Sequence, residues 1–187
     1  MKTYSELQKL VHQTAIDKGW HCNDELNADG FPTARQLLAW SDLVTDELDE
    51  AELETLDEYS DTSGKPCGYL TEIVDARIRL MDMAGACKIN LDSVANINSM
   101  REYPPLRSLC AERNAWRAHV RRGTRAGVEI GLLRYLLCID RLFSERMSYI
   151  RPGLTDGYIT KELERITLDK DEYNRTKRSY RHGGKLA

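Results

Sequence analysis

Two acidic pairs at helical spacing carry the clearest chemical signal in this chain. One lies in Asp46-Glu47-Leu48-Asp49-Glu50, the other in Glu72-Ile73-Val74-Asp75. Residues three apart share one face of an α-helix, so Glu47 goes with Glu50 and Glu72 with Asp75. Packed side by side, two such helices would gather all these carboxylates in one small volume, where they would raise one another's pKa values unless a cation sat among them. Oxygen-only ligands with room left for water suit Mg²⁺ or Mn²⁺. The spacing therefore points to a metal site built from Glu47, Glu50, Glu72 and Asp75. Taken singly, each pair also has an ordinary reading: the acidic run is a solvated helix face, and Asp75 is an i,i+4 partner for Arg79.

Those residues need helices to position them. Thr3 and Glu6 have capping-box spacing ahead of Leu7, Leu10, Val11 and Ile16, which predicts a first helix ending near Gly19. Residues 20–31 read as a loop. Pro32-Thr33 opens a long second helix with Leu37, Trp40, Val44, Leu48 and Ala51 on its apolar side. Ser63-Gly64-Lys65-Pro66 breaks the chain. A third helix over about residues 69–87 carries Ile73, Ala76, Leu80 and Met83 on one face and Glu72, Asp75, Arg79 and Asp82 along another. A polar seam of this kind is costly in a bundle unless it binds something or pairs internally. Beyond Pro104-Pro105, helices are expected over about residues 107–121 and 126–147, with Arg121-Arg122-Gly123-Thr124-Arg125 at the turn between them. A last one begins near Thr160 and runs into the tail.

Composition agrees with a single all-α domain spanning residues 1–187. Aromatic residues make up 7% of the chain and charged ones 30%, with five prolines. The net charge of −3 hides an asymmetry. From Asp42 to Asp61 there are ten acids and no base, whereas from Tyr173 to the end there are five Lys or Arg and no acid. The five cysteines are odd in number and form no Cys-x-x-Cys pair, which disfavours a disulfide framework and makes a cytoplasmic location the expectation. No stretch has the length and apolarity of a membrane span or a signal peptide core. Di-iron chemistry is disfavoured because none of His12, His21, His119 and His182 follows a Glu by three residues. No nucleophile elbow or phosphate loop is present either. Trp20, Trp40 and Trp116 are candidates to stack a base, but tryptophans at apolar positions are more often core. The cysteines read most simply as small hydrophobes.

The two carboxylate motifs in order resemble the Glu-Glu-x-x-Glu … Glu-x-x-Asp signature of the MazG-like all-α nucleoside triphosphate pyrophosphohydrolases, with Asp46 in place of the usual first Glu. Lys18-Gly19-Trp20 ahead of the second helix, the stretch from Ile78-Arg79-Leu80 to Ile89-Asn90-Leu91, and residues 170–185 are similar to further family segments, the last to the closing motif of small, often phage-borne members. The resemblance covers residues 1–92 and 167–187. Residues 93–166 would be a helical insertion, read here as an added helical layer.

The resemblance implies metal-dependent cleavage of a (d)NTP to the monophosphate and pyrophosphate, with (d)GTP the first substrate to test by analogy. Glu47, Glu50, Glu72 and Asp75 would be both the catalytic and the Mg²⁺- or Mn²⁺-binding residues. Lys170, Asn174, Arg178, Lys185 and Arg79 would bind the substrate's phosphates. It also implies a homo-oligomer, a dimer or tetramer, whose helices complete each other's bundles, and neither a membrane nor a nucleic-acid partner. A different class of function is a non-catalytic helical module whose basic tail binds nucleic acid or a protein.

Overall fold

The computed structural model describes residues 2–62, 64–93 and 108–176. Among them are six α-helices: α1 (Tyr4–Asp17), α2 (Ala34–Leu53), α3 (Tyr69–Ala86), α4 (Leu109–Arg122), α5 (Arg125–Ile150) and α6 (Asp156–Thr176). The only strands among the described residues are Tyr59–Ser60 and Pro66–Cys67, an antiparallel pair between α2 and α3. The chain is all-α, as its composition and periodicity indicate.

Local chemistry sets the helix starts. Thr3 and Glu6 form the reciprocal capping box that opens α1. Thr33 accepts the amide of Gln36 to open α2, and Ser108 accepts that of Ala111 to open α4. Helix α3 begins without a side-chain cap, at Gly68, whose φ of +106° disfavours any residue with a Cβ. A Cβ there would also stand 2.8 Å from the Asp57 carbonyl oxygen. Helix α6 starts at Asp156, about one turn earlier than the sequence reading placed it, because the chain can re-enter a helix directly after Pro152-Gly153.

Helix α3 is buried almost all round, the charged Glu72, Arg77 and Asp82 included, as befits a helix in the middle of a fold. It packs against α1, α2, α5 and α6. Leu70, Ile73, Val74, Ala76, Leu80, Met81 and Ala84 are all buried. Helices α5 and α6 pack on α3 from within the chain, and Lys170 of α6 reaches the Glu72 and Asp75 end of its polar seam. The residues read as an insertion thus supply part of the core, including Leu132, Tyr135, Leu136, Ile139 and Phe143 of α5.

Several charged residues inside this layer are paired. Arg134 and Glu112 form a two-pronged pair between α5 and α4, at 2.9 and 2.7 Å. Arg77 of α3 donates to Asp140 Oδ1 on α5 at 2.8 Å and to Thr167 on α6 at 3.0 Å, while the Tyr4 hydroxyl of α1 donates to the other Asp140 oxygen. Four helices meet at this point. Removing one partner of a buried ion pair strands the other charge, so Asp140→Ala should lower stability by about 3–5 kcal/mol, read as a shift in the urea midpoint. A loss below about 1 kcal/mol would show that Arg77 finds another partner or reaches water.

Candidate functional site

Of the four carboxylates expected to converge, three meet. Helices α2 and α3 form the most extensive helix pairing in the fold, and carboxylate oxygens from Glu47, Glu50 and Glu72 all lie within 4.8 Å of one another. They stand in a cleft of about 820 Å³, a volume in the range of small-molecule sites, which Asp46 and Asp75 also line. Asp75 is set apart from the trio by a cation of its own. Lys170, on α6, places its ammonium 2.7 Å from Asp75 Oδ2 and 4.0 Å from Glu72 Oε1. Its third contact is the Pro66 carbonyl at 3.1 Å.

Arg79 is likewise engaged inside the cluster. Both its Nε and its Nη2 donate to Glu47 Oε1, at 3.0 and 2.9 Å, so it pairs across to α2 and not along α3 to Asp75. Its guanidinium lies over the Trp20 ring, 4.0 Å from the centroid. The seam on α3 is therefore balanced in part by protein cations, which the spacing of the acids alone does not reveal. The balance is incomplete. Burial raises the Glu72 carboxyl to about 7, with the nearby Asp75 and Glu47 charges adding to the shift and Lys170 and Lys65 opposing it. Burial also raises Glu47, against the pull of Arg79. Glu72 Oε2 is buried and makes no hydrogen bond among the described residues. A buried carboxylate oxygen without a partner, beside two more carboxylates, is what a divalent cation would satisfy. The donor set thus fits Mg²⁺ or Mn²⁺.

Of the residues expected to hold phosphates, Arg79, Lys170 and Asn174 line the cleft. Arg178 and Lys185 lie outside the described residues. Lys170 is 1% exposed and spends its donors on the cluster itself, so its first role is to neutralise acids. Sequence reasoning missed Lys65, treated there only as part of a chain break. The hairpin sets it at the cleft wall, where the Glu72, Asp75 and Glu50 carboxylates raise its pKa although burial opposes this. The cleft lining also offers the apolar side chains Trp20, Ala39 and Leu43 and the polar Gln36 and Arg35. Trp40 and Trp116, by contrast, are core residues. Cys67, Cys87 and Cys138 are buried, whereas Cys22 and Cys110 are exposed.

No family model, no curated protein and no solved structure matches the chain. No helix among the described residues is long and apolar enough to cross a membrane.

Proposed function

We propose that the cleft between α2 and α3 is the active site of a metal-dependent nucleoside triphosphate pyrophosphohydrolase, cutting between the α- and β-phosphates. The observation that carries this reading is the meeting of Glu47, Glu50 and Glu72 from two helices around a partnerless Glu72 oxygen, within a nucleotide-sized cleft. Glu47, Glu50 and Glu72 would hold Mg²⁺ or Mn²⁺, with Asp75 beside them. Bound there, the cation supplies charge neutralisation at phosphate oxygens and favours ionisation of the attacking water.

The chain's own part is positioning. Phosphoryl transfer asks mainly for alignment and neutralised charge and needs no covalent nucleophile. Lys65 and Arg79 stand at the cleft wall to meet phosphate oxygens, and Asn174 offers an uncharged donor from α6. Trp20 presents a ring for base stacking, held by the Arg79 guanidinium across it. Asp46, in the cleft beside Glu47, is placed to orient water. The family resemblance of the two acidic motifs supports the same reaction, with (d)GTP as the first candidate.

The test is a scan of nucleoside and deoxynucleoside triphosphates with Mg²⁺ or Mn²⁺, following both products. At least one should yield its monophosphate and pyrophosphate, with none formed in chelator. Orthophosphate and a diphosphate would place the cut at the wrong bond. Strong, salt-sensitive binding to DNA or RNA without metal-dependent turnover would favour the non-catalytic reading.

A further inference from the structure

Three parts of the chain bring two imidazoles and two carboxylates together away from the acidic trio. His12 lies on α1, His21 and Asp24 in the connection that follows it, and Asp82 on α3. His12 Nδ1 and His21 Nε2 approach the same atom, Asp82 Oδ1, at 2.7 and 2.8 Å. The other nitrogen of His21, Nδ1, lies 2.5 Å from Asp24 Oδ2. The His21 and Asp82 side chains are only 14% and 12% exposed. Helix α3 leaves room for this arrangement, since a Cβ on Gly85 would come within 2.5 Å of the His12 ring.

Hydrogen bonding alone satisfies this set only with His21 protonated on both nitrogens, between Asp24 and Asp82, and with Oδ1 accepting from both rings. One cation in place of the two protons aimed at Asp82 satisfies the same atoms. Asp24 then accepts the Nδ1–H of His21 and leaves Nε2 as a ligand, the usual way a carboxylate fixes the tautomer of a metal-bound imidazole. Imidazole with carboxylate suits Zn²⁺ and its neighbours better than Mg²⁺ or Ca²⁺. A void of about 20 Å³ beside His21 and Asp82, walled by Trp20, Trp40 and Met83, is large enough for one water to complete the coordination.

We propose that His12, His21 and Asp82 form a second divalent-metal site, of the zinc class, with Asp24 orienting His21. Their donor atoms all lie within 4.8 Å of one another. The ion would tie the connection after α1 to α3. That connection supplies Trp20, Cys22, Asn23 and Glu25 to the wall of the cleft, so the metal would hold the wall in place without taking part in the chemistry.

The experiment uses the full chain carrying Glu50→Gln and Glu72→Gln, which silence the acidic cluster. After chelation and dialysis, Zn²⁺ should bind at one equivalent by calorimetry, and Co²⁺ should give visible absorption of a nitrogen-ligated ion. His12→Gln and His21→Gln should each weaken binding at least tenfold. Gly85→Ala should do the same while leaving every donor present, because it displaces the His12 ring. Should these variants fold poorly, imidazole NMR on the unmutated chain decides. One equivalent of Zn²⁺ must shift His12 and His21 and leave His119 in place. No binding in the Glu50→Gln/Glu72→Gln chain, binding indifferent to both histidines, or unshifted resonances would each overturn the site. None of these readouts depends on nucleotide hydrolysis, so the test stands apart from the activity of the cleft.

Discussion

Glu72→Gln should cost turnover on the order of 10²–10³-fold, the scale seen when one preorganised electrostatic group is removed from an active site. The same change should make the metal-free protein more stable. Glu72 is 3% exposed, and burial lifts its carboxyl to about 7. An unfolded chain releases that proton near the ordinary Glu value, about 4.3. Between those two points the folded state holds the proton that the unfolded state has lost, so stability falls as pH rises through the window and levels off above about 7. A glutamine escapes this penalty. Its amide also sits among the Glu47 and Glu50 oxygens, within reach of donating to them.

The gain should be on the order of 1–2 kcal/mol at pH 8 once screening by water in the cleft is allowed for, and should vanish near pH 4. Mg²⁺ reverses the order of the two proteins. At one hundred times its dissociation constant a cation that binds only the folded state adds about 2.7 kcal/mol, and the variant should forfeit most of it. Melting curves with and without Mg²⁺ at pH 4 and pH 8 check all of this. Equal metal-induced shifts in both proteins would show that Glu72 is not a ligand.

The parts of the site legible in the sequence are those set by short-range periodicity. Glu47 with Glu50, and Glu72 with Asp75, are fixed to one face by the rise of a helix, and the apolar stripes of α2 and α3 aim those faces at each other. Long-range pairings leave no such trace. Arg79 reads along the chain as a partner for Asp75, four residues away, yet it reaches Glu47 on another helix because Lys170 already occupies Asp75. Lys65 gains meaning only once the hairpin folds it back beside the cluster. His12 and His21 are separated from Asp82 by 70 and 61 positions, so a search for local histidine spacing passes over their meeting. The helical layer over residues 108–166 follows the same rule. Its helices are visible in leucine spacing, whereas its place beside α3 is decided by buried pairs such as Arg77 with Asp140.

Lys170→Met should be the most destabilising single change at the cleft, by about 3–5 kcal/mol, because it removes one partner of a buried ion pair and leaves the others. Three groups lose their cation at once: Asp75 at 2.7 Å, Glu72 at 4.0 Å and the Pro66 carbonyl at 3.1 Å. Methionine fills nearly the same space, so the loss is electrostatic and not a cavity effect. Two further measurements separate this role from simple phosphate binding. Adding Asp75→Asn to Lys170→Met should restore part of the stability, since the pair is then removed together, and the double-mutant cycle should give a coupling of at least about 1 kcal/mol. Saturating Mg²⁺ should rescue Lys170→Met more than it stabilises the unmutated chain, because the ion takes over the charge that the ammonium carried. If Lys170 served the substrate alone, the variant would keep its denaturation midpoint and raise KM, and neither Asp75→Asn nor Mg²⁺ would matter more to it than to the parent. Urea melts with and without the metal decide between the two. The burial of Lys170 beside the cluster favours the first, with the ammonium acting as a built-in counterion to Asp75 and Glu72.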